Sequence, residues 1–167
     1  MPILYDGKEF STLDGHKLSV AEAVEWSDYA RANKISNKAE SDLISANVLR
    51  TMQLLEKAYA ILACDGLITS FFRSEKLNAA VGGKIHPPSA HMAGRAVDSV
   101  PDNKDIKECF DLLASKAAEL DFDQLIIERD KKGNVWLHMS VARKGERARR
   151  MAFALSKEAD TARKTHG

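Results

Sequence analysis

Apolar positions recurring at threes and fours predict helices at two places in the middle of the chain. Over residues 38–63, Leu43, Ile44, Val48, Met52, Leu55, Ala58 and Leu62 form one such stripe, which places one helix face on a core. Asp65-Gly66 closes that helix. Over residues 102–120, Ile106, Phe110, Leu113 and Ala117 form another stripe. Ahead of both, Ser19 with Glu22 three positions on matches a capping box, opening a helix that runs to Arg31. Residues 33–38 interrupt the pattern, and residues 1–17, with Gly7, Asp14 and Gly15, read as an irregular arm.

Between and after the helices the period changes to two. Leu67 to Phe72 is a short β-type run ending at Arg73, and Gly94 to Val100 alternates as a strand. Phe122 to Glu128 and Val135 to Val141 are two strands, joined through Asp130-Lys131-Lys132-Gly133-Asn134 as a hairpin. Gly82, Gly83, Pro87 and Pro88 make most of residues 74–90 a loop, after a turn of helix from Glu75 to Val81. From Arg143 onward the chain reads as a basic amphipathic helix that frays near Thr165. Its charges fit a solvated face better than a contact with an anionic wall. The sum is an α+β fold, with N-terminal and flanking helices around a small, mainly antiparallel sheet.

Bulk properties narrow the classes. A chain of 167 residues with 44% hydrophobic and 29% charged residues suits a single globular domain with a sizeable core. A formal net charge of +1 gives no general attraction to nucleic acid or an anionic membrane. No run is long and apolar enough to cross a bilayer. The first residues lack a basic start followed by an apolar run, so the expectation is synthesis in the cytoplasm without a signal peptide. Cys64 and Cys109 lie in apolar helical settings and read as buried free thiols.

Candidate chemistry concentrates in the later half. His91 and Asp98 flank Gly94, and His138 lies in Val-Trp-Leu-His-Met-Ser, sharing a strand face with Trp136 and Ser140. Two histidines and one carboxylate suit a catalytic zinc, since the fourth position is left for water. Such an ion polarises a carbonyl and lowers the pKa of water to about 7. Hydrolysis then needs a base and a cation. Glu128, on the strand paired with that of His138, is the candidate base, and Arg73 the candidate cation. His16, His86 and His166 are read as structural or solvent-exposed.

At these residues the chain resembles the zinc D-alanyl-D-alanine carboxypeptidase family of peptidoglycan peptidases. That family includes vancomycin-resistance D-Ala-D-Ala dipeptidases and phage L-alanyl-D-glutamate endolysins. The pattern Ser-x-His-x-x-Gly-x-Ala-x-Asp is met by Ser89, His91, Gly94, Ala96 and Asp98. Thr69 to Ser74 is similar to the family's Thr-Ser-Gly-Tyr-Arg-Ser, and Leu77 to Gly83 to its Leu-Asn-x-Ala-Val-Gly-Gly. Phe122 to Glu128 and Trp136 to Ser140 resemble its last two blocks, in the family's order. The resemblance covers residues 18–142. It leaves 1–17 as an arm and 143–167 as a basic C-terminal helix and tail.

The resemblance implies a hedgehog-like fold, with His91, Asp98 and His138 as zinc ligands. It also implies that Arg73 and Ser89 contact a peptidoglycan peptide. Many members carry an acidic residue three positions before the last histidine, where this chain has Val135. In the short subfamily a glutamate comes from the preceding strand, the place of Glu128. Phe72 stands where the family has tyrosine, which removes one hydroxyl. The implied function is a zinc peptidase of bacterial cell-wall peptides, a phage or bacterial lysin acting at the wall after release by a virion or holin-type partner. The alternatives are a virion or assembly protein that keeps the fold with weak or no catalysis, and a cytoplasmic D,D-dipeptidase.

Overall fold

A computed structural model describes residues 3–5, 8–11, 24, 25, 27–39, 41–84 and 88–156. In chain order it holds β1 (Ile3–Tyr5), β2 (Lys8–Ser11), α1 (Asp28–Ala32), α2 (Asp42–Leu62), β3 (Gly66–Ser70) and α3 (Glu75–Ala80). After a 3-10 turn at Ala90–Ala93 come β4 (Ala96–Pro101), α4 (Ile106–Ser115), α5 (Ala117–Leu120), β5 (Gln124–Arg129), β6 (Val135–Ser140) and β7 (Met151–Ser156). Among the described residues the strands form one sheet in the order β1-β2-β3-β4-β6-β5-β7. The β2–β3 and β5–β7 pairs are parallel and the other four antiparallel, so the expected α+β, mainly antiparallel architecture holds.

The sheet separates two environments by residue parity. Val97, Leu125, Leu137 and Met139 pack with Leu55, Ala58, Tyr59 and Leu62 of α2 and with Phe110 and Leu113 of α4. This is the apolar core, and Ser99 joins it by accepting a 2.8 Å hydrogen bond from the Tyr59 hydroxyl. Successive residues of a strand face opposite sides. Asp98, Ile126, Glu128 and His138 therefore lie on the face away from α2.

The helical stripe over 38–63 is real, but the helix starts four residues later. Ser41, extended at φ −115°, accepts from the Ile44 N–H and caps it. Ending is through Ala63 in the left-handed region at φ 55°, ahead of the expected Asp65-Gly66. Leu43, assigned to the core face, lies on the solvent side at 63% exposed. The buried face is instead set by Asn47, Val48, Thr51, Leu54, Leu55, Ala58, Tyr59 and Leu62. The single helix expected over 102–120 is broken at Lys116 (φ −104°, ψ 20°) into α4 and α5. The capping box at Ser19 and Glu22 lies outside the described residues. Ser27 is extended at φ −150° and caps α1 afresh by accepting from the Ala30 N–H, so helical structure is not continuous to Arg31. Cys109 is buried as expected, whereas Cys64 is only half-buried.

Two terminal expectations are corrected. The arm over 1–17 contains β1 and β2, which form an antiparallel pair, and β2 adds in parallel to β3. The overlooked signal was Asp6-Gly7 between two β-type runs, a dipeptide favoured in two-residue hairpins. Over the described residues 143–156 the expected basic C-terminal helix is not formed. Residues 143–150 run as turn and extended chain into β7, which pairs in parallel with β5 over Gln124 to Arg129. Met151, Phe153 and Leu155 alternate with smaller residues, a period-two pattern that the density of basic residues had masked. Side-chain anchors fix the approach. Arg149 makes a two-point contact with Asp123 at 3.0 and 2.7 Å, and Arg150 Nε donates to Asp121 at 2.8 Å. The segment to Ser156 is thus part of the sheet rather than an appendage.

Candidate metal centre

Asp98 and His138, far apart in sequence, are direct register partners of antiparallel strands β4 and β6. Their side chains stand on the same sheet face, with His138 Nδ1 3.0 Å from Asp98 Oδ1. A one-residue slip would turn one of them into the core. The Val97–Met139 and Ser99–Leu137 pairs prevent that slip, because their side chains belong to the buried face.

His91 arrives from outside the sheet on the 3-10 turn. Ser89 Oγ accepts from the His91 N–H at 3.3 Å and caps the turn, and Gly94, at φ +74°, closes it. A Cβ on Gly94 would lie 2.8 Å from Val48 Cγ2 and 3.0 Å from the Ile44 carbonyl oxygen. The turn therefore presses directly on α2, which holds it from beneath. Asn47 Nδ2 donates to Ala93 O at 2.9 Å, and Thr51 Oγ1 to Gly94 O at 2.8 Å.

The His91 ring is aimed by its Nδ1, 2.7 Å from the Phe71 carbonyl oxygen. A carbonyl only accepts, so Nδ1 carries the proton and Nε2 presents a lone pair. That Nε2 lies 3.3 Å from Asp98 Oδ1 without hydrogen-bond geometry. His91 and His138 meet edge to face, centroids 5.1 Å apart.

Burial, reinforced by the nearby Arg73 guanidinium, pushes the His91 imidazole down to about 4, so it is neutral at neutral pH. Burial pushes the other two the same way, against charge. It would raise Asp98, but the two imidazoles outweigh it and hold the carboxyl well below the usual range. It would lower His138, but the hydrogen bond and charge of Asp98 prevail and raise it. Arg73 leaves the end of β3 with its guanidinium buried, donating to Ser70 Oγ (3.1 Å), Asn78 Oδ1 (3.4 Å) and Asp98 Oδ2 (3.3 Å). Its backbone N–H donates to His91 O at 3.1 Å, tying it to the turn as well.

Glu128 lies on β5, opposite Trp136 and two pairs along from the Ile126–His138 pair, so it shares the His138 face. Its Oε1 comes to 3.9 Å from His138 Nδ1. Arg73, Gly82, Gly83, Lys84, His91, Glu128 and His138 line one cavity of about 20 Å³, room for roughly one water molecule. The sequence-derived residues Arg73, His91, Asp98, Glu128 and His138 are thus brought together. Ser89 stands apart from that cavity. Its hydroxyl supports the His91 turn, and it lines a neighbouring cleft with Pro88, Arg95 and Arg143. Asn78 and Lys84 escaped sequence reasoning. Their only signal was membership of the Leu77–Gly83 block and its edge, where Gly-Gly marks a turn and says nothing of a cavity wall. His86 lies outside the described residues.

His91, Asp98 and His138 each offer a ligand atom, and these lie within 4.8 Å of one another. Among the described residues, three buried polar side-chain atoms lack a hydrogen-bond partner: Trp136 Nε1 and the Nε2 atoms of His91 and His138. Orphaned buried nitrogens are costly, and two of the three belong to this cluster. An imidazole with its other nitrogen fixed by a carbonyl, beside an ionised carboxylate and a second imidazole, is a donor set suited to a divalent metal ion.

None of the curated proteins compared with the chain matches it. The family model described as peptidase M15 matches residues 20–138, a span that runs from ahead of α1 to His138 itself. It takes in well over half of the 167 residues and every member of the cluster. The chain belongs to the peptidase M15 family.

Proposed function

We propose that this peptidase is zinc-dependent and cleaves peptides of the bacterial cell wall, as a phage or bacterial lysin. The observation that carries the reading is the convergence of His91, Asp98 and His138 beside a cavity that Glu128 also lines. In this reading the three residues hold the zinc. When bound, the ion supplies carbonyl polarisation and a water whose pKa is lowered to about 7.

The chain's own residues perform the rest. Glu128 takes a proton from the attacking water and returns it to the leaving amine, and its position on rigid β5 keeps the carboxylate within the cavity. Val135, three positions before His138, cannot do this, and it pairs with Arg129 at the far end of the hairpin. Arg73 holds Asp98 in place through the Nη2–Oδ2 contact and lends positive charge to the cavity wall. Phe71 O fixes the His91 tautomer. Ser89 acts through the turn it caps. Among the described residues no helix is long and apolar enough to cross a membrane. In this proposal the enzyme reaches the wall after release by a virion or holin-type partner.

The test is mass spectrometry of purified peptidoglycan incubated with the zinc-loaded protein. New amine and carboxyl ends beside an alanine are expected. An unchanged digest over long incubation, with zinc bound, would favour instead a virion or assembly protein that keeps the fold without catalysis.

A further inference from the structure

Asn78 sits on α3, away from the cluster, yet it is 1% exposed and both ends of its amide are used. Oδ1 accepts from Arg73 Nη1 at 3.4 Å, and Nδ2 donates to Lys84 O at 3.0 Å. Its backbone carbonyl accepts from the Gly83 N–H at 2.9 Å. The same residue therefore grips the buried guanidinium on one side and the 83–84 segment on the other. Lys84 O also accepts from the Ser89 N–H at 2.9 Å, and Ser89 in turn caps the His91 turn. Continuous bonding runs from Arg73 through Asn78 and Lys84 to the backbone that carries His91.

Gly83 shows how close this grip is. A Cβ there would lie 2.0 Å from Asn78 Oδ1, 2.7 Å from Cγ and 3.0 Å from Nδ2. Asn78 cannot swing aside without giving up Arg73 or Lys84 O, so the glycine is required by the asparagine rather than by its own backbone angles. The base of α3 is fixed as well. Ser74 caps it, and Asn37 holds that entry by accepting from the Ser74 N–H at 2.6 Å and donating to Phe72 O at 3.0 Å.

From this juxtaposition we propose that Asn78 is a positioning residue of the peptidase site. It sets the Arg73 guanidinium against Asp98 and clamps Gly83-Lys84 as the cavity wall facing Glu128. The proposal rests on the peptidase reading for its kinetic arm only. Asn78→Ala releases both partners. Asn78→Asp keeps an oxygen for Arg73 but sets a second oxygen against Lys84 O, freeing the wall alone. Gly83→Ala disturbs the wall through Asn78.

Two readouts test it. The first needs no catalysis and is limited trypsin digestion, following the cut after Lys84 in folded protein. Cleavage is expected to speed up about tenfold in Asn78→Ala, Asn78→Asp and Gly83→Ala, because local opening becomes easier. Adding Gly83→Ala to Asn78→Ala should change little further, since the two share one contact. The second is kinetics on soluble peptides released from peptidoglycan, at full zinc occupancy. Asn78→Ala should lower kcat about tenfold or more through misplacement of Arg73. Asn78→Asp should recover much of kcat while keeping a raised KM. Additive effects of Asn78→Ala and Gly83→Ala on trypsin cleavage, or a cleavage rate unchanged in both, would overturn the clamp. Equal loss of kcat in Asn78→Ala and Asn78→Asp would overturn the link to Arg73. Inactivity of the parent enzyme would sink the peptidase reading but leave the trypsin result to decide the clamp.

Discussion

Asp98 and His138 are paired residues of neighbouring antiparallel strands, Oδ1 to Nδ1 at 3.0 Å. That pairing makes the site a property of sheet register, with only His91 and Arg73 delivered by connecting segments. The residues that fix the register, Val97, Leu137 and Met139, are fully buried on the opposite face. Core and site are therefore two sides of the same strands.

Glu128 is the residue whose substitution should separate metal holding from catalysis. Glu128→Gln keeps size and β5 pairing but removes the proposed base. Zinc content should stay at the wild-type level while turnover falls about 10²- to 10⁴-fold, the usual contribution of a general base. Metal analysis alongside kinetics on released wall peptides checks this. Unchanged turnover would place the base elsewhere.

Gly94 should tolerate no side chain. Alanine there must adopt φ +74° and meet Val48 Cγ2 at 2.8 Å. Left-handed strain and overpacking together should cost about 2–4 kcal/mol, read by denaturant unfolding. The His91 turn would shift with it, so metal affinity should fall too. An unfolding midpoint equal to wild type would show that the turn does not press on α2.

Tyr59 and Ser99 test the other face of β4. The Tyr59 hydroxyl is buried, and burial holds its pKa well above the usual range in spite of the hydrogen bond to Ser99. Tyr59→Phe leaves the Ser99 hydroxyl without that donor and should cost about 1 kcal/mol in urea unfolding. Zinc content should not change, because the substitution lies across the sheet from the cluster.

Asp123 should give the fold part of its acid sensitivity. Burial would raise its carboxyl, but the hydrogen bonds and charge of Arg149 outweigh that and hold it below the usual carboxylate range. A group depressed in the folded state stabilises above its unfolded pKa, about 3.9, and loses that contribution as pH falls through the folded value. The Tm difference between wild type and Asp123→Asn should thus be full near neutral pH and narrow below about pH 4. A difference that grew on acidification would contradict the sign.

Much of this was legible in the residues, for identifiable reasons. Period-two parity puts His138 with Trp136 and Ser140, and Asp98 in a strand, so a shared face follows once the strands pair. The α2 stripe is long enough to survive the wrong placement of Leu43. β7 was misread because Met151 and Leu155 are four apart as well as alternating, so either period fits. What decides is the Asp123–Arg149 contact and the Met151 N–H to Asp123 O bond, neither written in the local pattern. Asn78 was invisible for a similar reason. Its importance lies in two partners, Arg73 and Lys84, that meet it only in the folded chain.

We propose that His91, Asp98 and His138 hold one metal ion between them. The direct measurement is zinc titration of metal-free protein by calorimetry, with wild type compared with Asp98→Ala and His138→Ala, each first shown to be folded. About one tight site is expected in the wild type, with its loss in both variants. Wild-type affinity and stoichiometry in either folded variant would contradict it.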